Sequence, residues 1–307
     1  MVVVQGMAAV ATRCVVRGFS GFSFGRWVPP LACALMIAGN ANAQAVPQTA
    51  LTPQGGLPQG NVGAVEATAQ ASATHPLDPA IELAKKGLAE FGQRVQDYSC
   101  TIVKRERIDG TLGDHEYMFA KVRQQPFSVY LSFLGPDAVK GQEVIWVDGR
   151  NDGNMFAHAG SGVRAMVGTV SLKPSSMLAM AGQRYAITEI GVENLARRLL
   201  EVAQHDRQFG ECEVNFFPNA KVNGRVCTCL QVVHPVARKN FRFHLARVFI
   251  DDEMQIPIRY ESYDWPDQPG GQPLLMEEYT YMNVKLNNGF TDADFDPRNA
   301  SYNFGMK

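Results

Sequence analysis

The chain has 307 residues, and 46% of them are hydrophobic, which is typical of a protein that folds around an apolar core. Its 29 basic and 30 acidic residues give a formal net charge of −1. Since the basic residues form no stripe, there is no electrostatic footprint for nucleic acid, and we expect no nucleic-acid partner.

The first 43 residues have the organisation of a secretory signal peptide. They carry three arginines and no acidic residue, and an apolar run extends from Trp27 to Gly39. Ala41-Asn42-Ala43 follows, with small residues at the positions that signal peptidase inspects. The run is too short for a transmembrane anchor, and most of it comes after Cys33, which disfavours acylation of that cysteine. We therefore expect cleavage near Ala43 and a periplasmic or secreted protein.

Residues 44–76 and 77–307 differ in composition. Residues 44–76 are rich in Ala, Gln, Pro, Gly and Thr without an apolar period, which predicts a disordered linker. Residues 77–307 are predicted to form a single domain. It opens with Asp78 as the N-cap and Pro79 as the first residue of a helix, whose apolar residues recur at three- and four-residue steps as far as Val95.

After Tyr98 the apolar period changes to two, which predicts strands, while Val170–Gln208 returns to a helical pattern. Asp-Gly pairs at 109–110 and 148–149 are typical of turns between antiparallel neighbours. The predicted strands are Tyr98–Arg107, Glu116–Arg123, Phe127–Phe133, Glu143–Val147, Cys212–Phe217, Val226–His234, Phe241–Ile250, Ile256–Tyr263 and Leu274–Leu286.

This order of elements predicts an α+β fold: a large curved antiparallel sheet, or half-open β-barrel, capped by a few helices. Two helical elements are too few to cover so many strands laid flat, so the sheet is expected to curve. The concave side would hold an apolar ligand, with a fully packed core as the alternative. The residues predicted to line an apolar ligand cavity are Phe127, Val129, Leu131, Phe133, Phe241, Phe243, Leu245 and Phe249.

Four cysteines follow the predicted cleavage site, and an even count in an oxidising compartment favours disulfides. Cys227 and Cys229 are two residues apart on a predicted strand and therefore share a face, so they are not expected to pair with each other. Cys212 precedes the same predicted hairpin, which favours a bridge from Cys212 to Cys227 or Cys229. Cys100 is a further candidate partner, and buried reduced thiols are the alternative.

Charged residues cluster on two parts of the predicted sheet. In the run Lys104–Arg107, alternation sends Lys104 and Glu106 to one face of the strand. We interpret the run as a charged guard on an edge strand, with contact to a lipid headgroup or an acidic partner as the alternative. The late-strand acids Glu261, Glu277 and Glu278 are interpreted as cross-strand partners of Lys104, Arg105 or Arg259 rather than as an acid–base pair.

No arrangement of residues is typical of an enzyme or of a metal site. The six histidines are scattered, without a spacing such as H-E-x-x-H. A nucleophile-elbow pattern in its strand–helix context is also absent from the sequence. We therefore predict no catalytic residues, no metal and no cofactor.

Several segments resemble an uncharacterised family of secreted bacterial proteins that is known only as a domain of unknown function. The segments are Thr101–Arg107 with Asp109-Gly110, Pro126–Tyr130, Gly141–Ile145, Ile256–Tyr260, Glu278–Tyr281, Asn287 and Phe295. More widely, the order of elements over residues 78–304 is similar to the lipoprotein-localisation-factor fold of LolA, LolB and RseB. This wider resemblance implies an unclosed barrel lidded by helices that holds lipoprotein acyl chains. The chain departs from that fold in its charged run Lys104–Arg107.

These observations lead to one functional hypothesis and two alternatives. The leading hypothesis is an exported, non-enzymatic envelope protein whose half-barrel holds an acyl chain or a lipoprotein. The first alternative is a partner-binding or sensory domain of the envelope that uses the outer surface of the sheet. An envelope hydrolase is the second alternative.

Overall fold

A computed structural model describes residues 75–160 and 167–306 of the chain. The predicted signal peptide (1–43) and nearly all of the predicted linker (44–76) lie outside the described residues. The helices are α1 (Asp78–Arg94), α2 (Met177–Met180) and α3 (Val192–Asp206). The strands are β1 (Asp97–Ile108), β2 (Thr111–Leu112), β3 (Glu116–Arg123), β4 (Ser128–Gly135), β5 (Glu143–Val147), β6 (Met155–His158), β7 (Thr169–Leu172), β8 (Glu213–Val222), β9 (Arg225–Val233), β10 (Leu245–Asp251), β11 (Pro257–Asp264) and β12 (Leu274–Leu286).

All twelve strands belong to one antiparallel sheet, in the order β7-β6-β5-β4-β3-β1-β12-β11-β10-β9-β8, with β2 paired only to β1. The chain runs by hairpins from β3 to one edge at β7, crosses through α3 to the other edge at β8, and returns by hairpins to β12. Because β7 and β8 do not pair with each other, the sheet is open. The predicted α+β fold with one large antiparallel sheet is confirmed.

The strand boundaries match the sequence pattern closely where strands are long. Glu116–Arg123, Glu143–Val147 and Leu274–Leu286 are strands as predicted. The prediction of helix from Val170 onward was wrong at its start, because Thr169–Leu172 pairs as β7 against β6. Such short strands form because a neighbour supplies hydrogen-bond partners, and four residues carry little periodicity of their own.

The second difference lies before β10. The predicted strand Phe241–Ile250 begins only at Leu245, because residues 235–244 form a connection. The connection is held where His234 N–H donates to His244 O (2.7 Å) and His244 N–H donates to Tyr263 O (2.8 Å). The backbone turns and bends within this connection, so the alternation that the sequence suggested for Phe241 and Phe243 does not continue into β10.

Helices α1 and α3 cover one face of the sheet, which we call the helix face. Direct neighbours across the strands share a face, and Tyr281, Ile102 and Met118 form such a row on β12, β1 and β3. They belong to one buried cluster with Phe91 of α1, against which Leu195 of α3 packs. The main core therefore lies between the sheet and the two long helices.

Within the described part of the chain, the C-terminal segment after β12 covers the other face over β3–β6. Phe295 and Phe304 of that segment pack against Tyr130, Ile145 and Val147. Within the described ranges, no helix has the length and hydrophobicity required to cross a membrane. Both cavities described below lie on the helix face, between the sheet and the long helices.

Candidate functional site

A cavity of about 480 Å³ lies between the helix face of the sheet, helix α3 and residues 183–191 that precede it. We call it the main cavity. Its walls come from β1, β3, β4, β11 and β12. On a flat sheet β4 and β11 would lie about 19 Å apart, four strand spacings, and yet both line this one space. The sheet therefore bends around α3, which gives the cavity its floor and side walls.

One end of the main cavity is apolar. From the sheet it receives Ile102, Met118, Leu131, Phe133 and Tyr281, and from α3 it receives Leu195, Leu199 and Val202. These sheet residues are buried, and they alternate along their strands with residues of the opposite face. This end can accept hydrocarbon without leaving a polar group unpaired.

A smaller cavity of about 150 Å³ lies on the other side of α3, between α1, α3 and strands β9–β11. We call it the side cavity. Its sheet wall includes Leu230, Val248 and Ile250, and its lining is almost entirely apolar. Leu199 and Val202 of α3 line both cavities, so the helix forms the partition between them.

The opposite end of the main cavity contains buried charges on β1. The Lys104 ammonium lies 3.1 Å from Glu106 and 3.2 Å from Glu116, and it donates to Oε1 of Gln183 at 2.5 Å. The hydroxyl of Tyr279 donates to Glu106. Lys104 and Glu106 are only 7% and 8% exposed, so these charges depend on one another for stability.

Arg184 closes this polar end from above. Its Nε lies 3.0 Å from Glu277, and its Nη1 donates to the carbonyl oxygen of Arg107 at 3.1 Å. Its backbone N–H donates to Glu106 at 3.3 Å. The loop that carries Arg184 is thereby fixed to β1 and β12, and it covers the polar end on the side opposite the sheet.

The tyrosines at the polar end act as hydrogen-bond donors. Burial raises the pKa of Tyr279 above its ordinary value, and the carboxylates of Glu106 and Glu277 raise it further. Burial, with Glu277, also raises the pKa of Tyr185 and Tyr260. All three phenols therefore stay protonated at neutral pH. They offer O–H groups to carboxylates rather than acting as bases.

The predicted cavity residues fall into three groups. Leu131, Phe133 and Phe243 line the main cavity, and Phe243 also lines the side cavity. Val129 is buried in the main core, where Phe127 packs with its ring against Trp146 at 5.8 Å. Phe127 and Val129 line neither cavity.

The remaining three predicted residues lie at or beside β10. Phe241 is buried and stacks on the His234 ring at 3.9 Å. On β10 the cavity lining comes from Ala246, Val248 and Ile250, so Leu245 and Phe249 belong to the alternate positions and line neither cavity. The lining of β10 is thus one residue out of phase with the prediction.

The structure does not contain the disulfide suggested by the sequence. Cys100, Cys212, Cys227 and Cys229 are all free thiols. In the β8–β9 ladder Glu213 lies opposite Val233, while Cys229 lies opposite Phe217. Cys212 is therefore about 13 Å or more along the ladder from Cys229. That exceeds the Cα separation that a disulfide allows.

The prediction that Lys104–Arg107 guards an edge strand was also wrong, because β1 lies in the middle of the sheet between β3 and β12.

The acidic residues of the late strands lie on different faces of the sheet. On the outer face, Arg259 pairs with Glu278 of β12 (2.5 Å), as cross-strand partnership predicts, and also with Glu261 of its own strand (2.7 Å). Glu277 faces the main cavity and pairs with Arg184 instead.

Sequence reasoning missed most of the polar end. Alternation along β1 does place Lys104 and Glu106 on the face of Ile102, and this was the available signal. Arg184 lies in a loop, where no period indicates which way a side chain points.

Within the described ranges, no group of three or more His, Cys, Asp or Glu side chains is arranged to hold a metal ion.

The model of a family described as a protein of unknown function (DUF1571) matches residues 95–304 of the chain. This chain belongs to the DUF1571 family. The match begins just before β1 and ends at residue 304, within the C-terminal segment, so the DUF1571 region includes every strand of the sheet. The predicted membership of an uncharacterised family is confirmed. No curated protein matches the chain.

Solved structures that resemble this DUF1571 protein include three with low sequence identity. The lipoprotein LppX of Mycobacterium tuberculosis is 14% identical, with 71% of this chain and 100% of that chain covered and a TM-score of 0.40. LprF of Mycobacterium bovis is 14% identical, with 70% and 99% covered and a TM-score of 0.39. A LolA superfamily protein of Nitrosomonas europaea is 10% identical, with 69% and 97% covered and a TM-score of 0.29.

Proposed function

We propose that this protein is an exported binding protein of the cell envelope that holds the hydrocarbon chain of an amphiphile, such as a lipid or lipoprotein acyl chain. The observation that carries the proposal is the main cavity, with an apolar end beneath α3 and a polar end at Lys104 and Glu106. A volume of about 480 Å³ falls within the range of small-molecule sites.

The chemistry of the lining supports a chain rather than a polar metabolite. Leu131 and Phe133 are buried, at 4% and 6% exposure, and their side chains reach the cavity from β4. A hydrocarbon chain gains about 0.8 kcal/mol for each methylene that it buries. About eight buried methylenes would contribute roughly 6 kcal/mol before the costs of association. The gain grows with every further methylene that is buried, so the affinity for a chain should depend on its length.

The outer face of the central strands gives less support to the partner-binding alternative. Its charges already pair among themselves, as Arg247 with Glu261 (3.1 Å) and Arg259 with Glu278 (2.5 Å). A partner would have to compete with these pairs. Export to the envelope forms part of the proposal and is supported by the signal-peptide pattern of residues 1–43.

The direct test is a titration of the mature protein with alkyl ligands of increasing length. We expect affinity to climb with chain length until the cavity is full and then to level off. Leu131→Lys places a charge in the apolar end and should abolish binding. The matched control is Leu134→Lys on the same strand, because the Leu134 side chain is 49% exposed. Circular dichroism should show that both variants keep the fold.

A second variant guards against a charge that simply unfolds the protein. Leu195→Trp places a larger side chain from α3 in the main cavity, which fills part of its volume and introduces no charge. We expect it to lower the chain length at which affinity levels off. Binding that is absent at every length, or independent of length, would contradict the proposed function.

A further inference from the structure

We propose that the main cavity selects amphiphiles with an anionic headgroup, carboxylate or phosphate, and that Arg242 binds this group at the polar end. The inference rests on the proposed function, because the headgroup site would serve a ligand whose chain occupies the apolar end. It adds the chemical class of the ligand, which the apolar lining alone does not specify.

Among the described residues that line the main cavity, one cation, Arg242, has no acidic partner. Among the charged residues lining the main cavity, three acids are matched by three bases: Glu106 with Lys104, Glu277 with Arg184, and Glu189 with Arg198. Arg242 also lines the cavity and is exposed. It has no ion-pair or hydrogen-bond partner within residues 75–160 and 167–306. No group in these two ranges occupies its guanidinium, which can therefore bind a ligand.

The backbone around Arg242 is held on both sides. Phe243 is buried and lines both cavities, and Phe241 is buried against the ring of His234. Phe241 N–H donates to Arg238 O at 3.1 Å. Arg242 is thus a charged residue between two buried aromatic anchors. This fixes where the guanidinium group emerges and reduces the entropy lost on binding.

The register of the sheet places Arg242 at the correct end for a headgroup. Ala246 of β10 lies opposite Ser262, Ser262 opposite Glu277, and Glu277 opposite Glu106. Arg242 precedes β10 by three residues, and so it lies at the Glu106 end of the cavity. Ile102 lies four residues back along β1, about 13 Å from Glu106. A ligand aligned with the strands would place its chain beside Ile102 and its head near Arg242.

The neighbouring groups favour an anion over a cation or a neutral head. The carboxylates of Glu106 and Glu277 are already engaged by Lys104 and Arg184, so they offer little to an ammonium group. A guanidinium group matches carboxylate and phosphate in geometry and makes two parallel hydrogen bonds to either. The positive charge of Arg242 at the polar end would repel a cationic head.

The experiment compares four ligands with the same twelve-carbon chain, each below its micellar concentration: dodecanoate, dodecyl phosphate, dodecanol and dodecyltrimethylammonium. Calorimetry on the wild-type mature protein should show the two anions binding about tenfold or more tightly than the alcohol, and the cation most weakly. The anion preference should shrink at high salt, because Arg242 is exposed.

Variants assign the preference to Arg242. Arg242→Gln should bind dodecanol as the wild type does and lose the preference for anions, and Arg242→Glu should prefer the cation. The control is Arg197→Gln on α3, because Arg197 lies outside both cavities and pairs with Glu193. It should bind all four ligands as the wild type does.

The outcomes separate the inference from the proposed function. Chain-length dependence with no headgroup preference, or a preference that survives in Arg242→Gln, overturns the inference and leaves the proposed function intact. Failure of every ligand to bind overturns both. Inorganic phosphate or acetate that competes at the concentration of the amphiphile would show a small-anion site instead, which also contradicts the inference.

Discussion

Gly191 immediately precedes α3 and has a backbone conformation, φ 116° and ψ 159°, that is essentially restricted to glycine. A Cβ atom at this position would lie 2.9 Å from the hydroxyl of Tyr98. That hydroxyl is fully buried and accepts a hydrogen bond from Val192 N–H at 2.9 Å, in the first turn of the helix that forms the cavity partition. We therefore predict that Gly191→Ala destabilises the protein substantially.

The magnitude has two parts. The strained backbone costs about 1–3 kcal/mol in a residue with a side chain. Displacing the Tyr98 hydroxyl leaves the buried Val192 N–H without its acceptor, which costs about 1–3 kcal/mol more. Together Gly191→Ala should lower the free energy of unfolding by about 2–6 kcal/mol, a large share of the stability of an ordinary domain.

The assay is urea unfolding followed by circular dichroism, with the midpoint as the readout. The matched control is Gly92→Ala in α1, because a Cβ at Gly92 meets nothing within 4 Å. That substitution should stabilise the protein by about 0.5–1 kcal/mol. A loss below about 1 kcal/mol for Gly191→Ala would refute the reasoning.

A double-mutant cycle tests the mechanism as well as the size. Tyr98→Phe removes the hydroxyl and should destabilise the protein by itself, since Val192 N–H loses its acceptor. In the presence of Gly191→Ala the same change also removes the steric conflict. The double variant should therefore be more stable than the sum of the two single effects predicts. Strict additivity would show that the two residues do not interact as described.

Three further predictions concern pH, redox state and export. Burial raises the pKa of Asp251, but the hydrogen bond from Arg225 and two backbone N–H groups outweigh it and hold the pKa below 3.8. The stabilisation by ionised Asp251 is therefore complete at pH values above its pKa in the unfolded state, and it is lost as pH falls through its pKa in the folded state. The urea midpoints of Asp251→Asn and wild type should therefore converge at acid pH. Mass mapping of the folded protein without reductant should show no bridge from Cys212, and a Cys212-linked peptide would contradict the register of β8 and β9. N-terminal sequencing of the exported protein should begin at Gln44, and a chain that retains residues 1–43 would overturn the proposed cleavage.

The local pattern of the sequence was sufficient for most of the long strands. Residues on one face of Glu116–Arg123 recur at every second position, and Glu143–Val147 is a short apolar run that ends at the Asp148-Gly149 turn. Leu131 and Phe133 reach the cavity as predicted by their shared strand face. The same reasoning failed for Leu245, because the chain turns before β10 and the alternation restarts there. A period can be extrapolated only while the backbone stays extended.

The composition and periodicity of the sequence by themselves determined the α+β class, the long strands and the shared face of Lys104 and Glu106. Only the tertiary structure decided that β1 lies in the centre of the sheet, since its pairing with β12 joins residues such as Lys104 and Tyr279 that are far apart in the chain. The same is true of Arg184, which reaches Glu277 from a loop without periodicity. Alternation specifies which side chains share a face, whereas what covers that face depends on long-range contacts. The buried charges and the cavity are products of those contacts.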